Sequence, residues 1–146
     1  MVMVIIGVIG TIAAPRFFDN SVFQSRGFAD QVQASLRYAQ KVAVAQHRTV
    51  CVAFTLPAPS SITLTIDSDT PADGACNPAP AGNLQSPTGN PSYVIIAPPG
   101  IAFAALPTPF SFDALGRPAP AVLPAITITG ATNSITIEAV TGYVHQ

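Results

Sequence analysis

The chain opens on MVMVIIGVIGTIAA, fourteen residues without a charge whose Val, Ile and Met side chains fall on every side of a helix. The pattern then changes over 15–46. Phe28, Val32, Leu36, Ala39 and Ala43 recur at spacings of three and four with Val42 beside them, while Arg26, Asp30, Gln33, Arg37 and Gln40 fall mostly on other faces. This spacing predicts an amphipathic helix with one face for a sheet and one for water. Between the two parts, Pro15-Arg16-Phe17-Phe18-Asp19-Asn20-Ser21 combines a helix-bending proline with capping residues, which predicts a kink; Gly27 is a second weak point.

After His47-Arg48 the period falls to two. Runs at 49–55 and 61–66 alternate β-branched and other residues, and Pro57-Ala58-Pro59-Ser60 joins them as a hairpin-like connection. Residues 67–91 are rich in Asp, Pro, Gly, Ala and Asn and predict a long surface loop. Strand patterns resume at 92–96, 110–113, 125–129 and 134–139, and Thr141-Gly142-Tyr143-Val144 turns into a last short strand. A helix followed by strands predicts an α+β fold, a long N-terminal helix packed on a small antiparallel sheet. The organisation expected is an apolar segment over 1–18, its amphipathic continuation over 19–48, and a β-rich globular part over 49–146.

The first segment needs an apolar environment, and its length narrows which one. Fourteen helical residues reach about 21 Å against a hydrocarbon layer of about 30 Å. A secretory signal peptide and an unusually apolar core helix are two readings, although no Lys or Arg precedes the run. The third, favoured by the character of the remaining chain, is the surviving part of a longer membrane helix that begins upstream of Met1, with Val4, Ile5, Ile6, Val8, Ile9, Ile12 and Pro15 as its principal residues.

Composition supports an extracytoplasmic β-rich domain: charged residues make up 9% of the chain against about 25% in ordinary globular proteins. The net charge of −1 conceals two halves of opposite sign. Through residue 50, Arg16, Arg26, Arg37, Lys41 and Arg48 outweigh Asp19 and Asp30 by +3; beyond it, Arg117 stands against Asp67, Asp69, Asp73, Asp113 and Glu138, giving −4.

Cys51 and Cys76 are the two cysteines. A metal site or redox pair is the chemical alternative, but neither has a nearby His or Cys and they do not form CxxC. A disulfide tying the long loop to the first strand is the reading adopted, implying an oxidising compartment. His47 and His145 are the only histidines, and no nucleophile-elbow, phosphate-loop or HExxH pattern accompanies them. No catalytic residue, cofactor or metal is expected. Phe17-Phe18, Phe103, Phe110 and Phe112 read as core or subunit-contact aromatics.

The opening VMVIIGVIGTIAAPRFF, the amphipathic continuation and a small β-domain with a cysteine pair resemble type IV pilins and the pseudopilins of type II secretion. Phe112-Asp113-Ala114-Leu115-Gly116-Arg117-Pro118, the Ile-Thr-Ile runs at 126–128 and 135–137, and Thr141-Gly142-Tyr143-Val144 are similar to the GspH/FimT branch of minor pilins. Within it, Leu36-Arg37-Tyr38-Ala39-Gln40-Lys41 and Val44-Ala45-Gln46-His47-Arg48 are most similar to minor pilins of MSHA pili. The resemblance implies a structural subunit held in the bacterial inner membrane with its β-domain in the periplasm. Its partners would be membrane lipid, then the assembly platform and other pilin subunits through the N-terminal helix. A pseudopilus subunit of type II secretion is the alternative function, and a FimT-like DNA-binding minor pilin for DNA uptake is the second alternative.

The family's basic leader and Phe-Thr-Leu-(Ile/Val)-Glu sequence are missing ahead of the apolar run, which leads to the expectation of a start assigned too late or a clipped chain. DNA-binding members carry basic residues near the C-terminal Gly motif, where this chain has Gly142-Tyr143-Val144-His145-Gln146. With −4 on the globular part, phosphate attraction is weak, and nucleic acid is not an expected partner. Phe112, Gly116, Arg117 and Gly142 are the motif residues to follow into the fold.

Overall fold

In a computed structural model, which describes residues 2–17, 20–56 and 59–146 and leaves the side chains of 10 and 12–17 undescribed, two helices precede seven strands. They are α1 (Val2–Phe17), α2 (Asn20–Gln46), β1 (Val50–Thr55), β2 (Ser61–Ile66), β3 (Tyr93–Ile96), β4 (Phe110–Phe112), β5 (Pro118–Ala119), β6 (Thr136–Ile137) and β7 (Val144–His145). Phe18 and Asp19, at the centre of the kink expected over 15–21, and the Pro57-Ala58 corner of the first hairpin lie outside the described residues, as do the side chains of Ile12, Pro15 and Phe17. Gly27, read as a weak point, is continuous helix, because the packing of α2 outweighs the modest propensity cost of one glycine.

The period-two runs form an antiparallel sheet of five strands in the order β3-β2-β1-β4-β5. Register follows burial: Val50, Val52 and Phe54 of β1 share the inner face with Ile62, Leu64 and Ile66 of β2, and Phe110 and Phe112 extend it. Against that face α2 presents Phe28, Ala29, Val32, Leu36, Ala39, Val42 and Ala43, all buried. Its small residues allow close approach, and the buried hydroxyls of Ser25 and Ser35 donate within their own helix to Val22 O (3.0 Å) and Val32 O (2.7 Å). Phe103 closes the far end, with ring centroids 5.5 Å from Phe28 and 5.4 Å from Phe54. The fold is therefore α+β, with a helix packed on an antiparallel sheet.

The C-terminal third is less regular than its alternation implies. Residues 125–129 meet the chain through the single bridges Ile126↔Ile135 and Phe103↔Ile128, and the 134–139 run keeps only β6, paired with β7. Ile126, Ile128, Ile135 and Ile137 are nevertheless buried, so the alternation marks inward residues even where the ladder is short.

The 67–91 loop is also better anchored than its composition implies. Cys51 and Cys76 are joined as a disulfide with Cα atoms 6.1 Å apart. Ile66 N–H donates to Gly82 O (2.8 Å), Leu84 is buried, and Tyr38 on α2 donates to Gln85 O (2.8 Å) while stacking on Tyr93. Burial, with Tyr38 alongside, raises the Tyr93 hydroxyl above its ordinary pKa.

α2 ends in a Schellman-type cap: Arg48 N–H reaches back to Ala43 O (3.1 Å), and His47 takes the left-handed conformation with φ of 52°. That position favours glycine, and an L side chain there costs about 1 kcal/mol. His47→Gly is expected to raise stability by about 0.5–1 kcal/mol, read as a higher urea midpoint. An unchanged or lower midpoint would contradict the strain assigned to His47.

Candidate functional site

α1 is sixteen residues long, which corresponds to about 24 Å of helix. Val2, Met3, Val4, Ile5, Ile6, Val8 and Ile9 are each 54–88% exposed, on all sides of the helix. Leaving these seven apolar side chains in water costs roughly 1.5 kcal/mol or more each, about 10 kcal/mol together. Among the described residues no helix is long and apolar enough to cross a membrane.

The four motif residues of the C-terminal half have separate tasks, and two of them meet. Phe112 is fully buried beneath α2. Gly116 and Gly142 both adopt positive φ, 79° and 68°, and pack against one another beside α2. A Cβ at Gly142 would collide with the Gly116 carbonyl oxygen, and one at Gly116 would lie 2.9 Å from Val44 Cγ2. Gln40 holds both turns from the helix, its Nε2 donating to Gly116 O (3.0 Å) and Thr141 O (2.7 Å). One turn further back, Arg37 Nε donates to Val144 O (3.0 Å) and its guanidinium lies over the Tyr143 ring at 5.8 Å. Gln40 and Arg37 were legible only as the polar side of an amphipathic helix; their partners lie 76 to 107 residues away in sequence.

Arg117 is engaged locally, with Nη2 2.9 Å from Asp113 Oδ2. Asp113 Oδ1 also accepts the N–H groups of Leu115 (2.9 Å) and Arg117 (2.8 Å), closing the turn that places Gly116. Burial acts to raise the Asp113 pKa, but the backbone donors of Arg117 and Leu115 and the Arg117 guanidinium outweigh it and hold the carboxyl below its ordinary value.

A third cluster escaped sequence reasoning. Asp67 is fully buried, accepting Gly74 N–H on Oδ2 (2.8 Å) and Asp69 N–H on Oδ1 (3.1 Å), with Arg48 Nη1 3.8 Å away. Arg48 also donates to the carbonyls of Asp67 (2.9 Å) and Asp69 (2.6 Å), so it ties the end of α2 to the disulfide loop. Asp67, Asp69 and Asp73 each place an oxygen within 4.8 Å of the others. Asp67 has full use within the loop. Of the histidines, His145 pairs with Glu138 Oε1 at 2.9 Å and stacks on Tyr143, while His47 forms the exposed cap of α2.

No protein-family model, curated protein or solved structure matches the chain.

Proposed function

We propose that this chain is a structural, non-enzymatic minor pilin of the MSHA type, assembling through α1. The observation that carries the reading is the contrast between its two helices. α2 buries one face on the sheet and is fastened by Gln40 and Arg37, whereas α1 exposes apolar side chains on every side. A helix with no polar face gains from lipid, and gains as much from the apolar interior of a bundle of similar helices. The subunit accordingly waits in the inner membrane by its apolar helix, then transfers that helix into the core of a growing filament, helping to initiate or cap it. The β-domain stays outside and supplies lateral contacts.

The arginines support assembly over DNA binding. Arg117 is paired with Asp113, Arg48 is bonded into the disulfide loop, and Arg37 is bonded to Val144 O, so these cations have protein partners in place of phosphates.

Ile5→Asp or Ile9→Asp in the chromosomal gene is expected to abolish membrane retention and surface piliation while the β-rich part stays folded and disulfide-bonded. A burial cost of about 2.5–3.5 kcal/mol for the carboxylate at the centre of an apolar helix drives both losses. Normal piliation in either mutant would overturn the proposal.

A further inference from the structure

The five-stranded sheet has two unlike edges. β5 is two residues long and carries Pro118, with Pro120 just beyond it. Proline offers no N–H, so this edge is closed to a further strand. β3, at the other edge, contains neither proline nor charge, and residues 74–112 around it hold no Asp, Glu, Lys or Arg.

The ladder fixes which β3 groups are free. Ala97 N–H donates to Ser60 O (2.8 Å), one step beyond the facing pair Ser61↔Ile96. Bonded and non-bonded pairs alternate in an antiparallel ladder, so Tyr93 and Ile95 direct their N–H and C=O groups to β2, and Val94 and Ile96 turn theirs to the open edge. The side chains of Val94 and Ile96 are 45% and 59% exposed, on the sheet face opposite Ile62 and Leu64.

An edge with this spacing is complementary to itself. We infer that β3 pairs antiparallel with β3 of a second copy of this chain, about a two-fold axis at Ile95. Val94 then faces the partner's Ile96, and Ile96 the partner's Val94. Every free N–H and C=O of the two residues meets a free counterpart, and their exposed side chains cover one another. A shift of one residue would oppose free groups to groups already used by β2. The absence of charge around the edge removes the repulsion that ordinarily guards such strands.

The two-fold axis is perpendicular to the sheet and reverses every direction in its plane, α2 included. Paired copies therefore carry their α2 N-termini at opposite ends. The pairing rests on the β-rich part, independently of the filament reading, and describes copies outside a common helix bundle. Four residues bury far less than the roughly 1,000 Å² of a lasting dimer, so the pairing is weak and concentration-dependent.

Sedimentation of the full chain in mild detergent, from about 10 μM to about 1 mM where weak complexes assemble, tests this directly. The wild type is expected to pass from monomer to dimer. Val94→Pro, which removes only an outward N–H, is expected to keep its fold and weaken the dimer at least about tenfold. Ile95→Cys is expected to yield a covalent dimer on mild oxidation, because facing non-bonded residues have Cα atoms about 4.5 Å apart, within disulfide reach. A wild type monomeric throughout, with no cross-link at position 95, overturns the pairing and leaves the edge to a different protein. A dimer that survives Val94→Pro and does not cross-link at 95 overturns it in favour of contact through α1.

Discussion

Gly142→Ala is expected to destabilise the chain by about 3 kcal/mol and to loosen the C-terminal turn from α2. The left-handed backbone at Gly142, φ 68°, costs an L residue about 1 kcal/mol by itself. The added methyl would also collide with the Gly116 carbonyl oxygen and lie 2.7 Å from Gln40 Nε2, and that carbonyl is the acceptor Gln40 uses. Relief requires the two turns to separate, which gives up the Gln40 bonds at about 1 kcal/mol each. Gly89→Ala is the matched control: φ there is 90°, but nothing lies within 4 Å of the added Cβ, so a loss of only about 1 kcal/mol is expected. Urea unfolding of the two variants separates conformational strain from the collision. Equal losses would mean that contact between the glycine turns contributes nothing.

Replacing Cys51 and Cys76 together by Ser is expected to remove about 3.5 kcal/mol. The cysteines lie 25 residues apart, and the chain-entropy cost of closing a loop of that length has this size. The structural consequence reaches past the loop itself. With Cys76 released, the turn carrying Gly74 is no longer held by its neighbour, and Gly74 supplies one of the donors to buried Asp67. A charge so placed becomes costly when its donors leave. Faster amide exchange at Gly74 and Asp69 than at β1 and β2 is the accompanying sign. An unfolding midpoint equal to that of the wild type would contradict the role given to the disulfide.

Hydrophobic periodicity made the central packing legible in advance. The three-four spacing from Phe28 to Ala43 marks the face that α2 buries, and the alternation in 49–55 and 61–66 marks the inner faces of β1 and β2. The cysteine pair was legible as well, because few other partners were available to either residue. Legibility faded where long-range polar contacts decide the structure. Asp67 looked like one more acidic residue in a polar loop, and only the fold reveals it as a buried acceptor. Gln40 and Arg37 carry no local signal of bonding to carbonyls in the C-terminal turns, since helix periodicity reports facing and not partners. The shortening of the 125–129 and 134–139 runs has a similar cause: alternation records which side chains face inward, while ladder length depends on what lies alongside.

The two helices can be assigned different tasks because their surroundings differ. α2 buries one face, from Phe28 to Ala43, on the sheet and is bonded to the C-terminal turns and β7 through Arg37 and Gln40, so substitutions in α1 are expected to act on partition and assembly without unfolding the β-rich part. The most direct measurement of the central claim is flotation of the purified full chain with phosphatidylcholine vesicles, comparing wild type with Ile5→Asp and Ile9→Asp. The wild type is expected to float with the vesicles, and both variants to remain in the dense aqueous fraction with disulfide and circular dichroism unchanged. Equal flotation of all three proteins, or a wild type that stays in the aqueous fraction as a dispersed monomer, would contradict α1 as the element that carries this chain into an apolar environment.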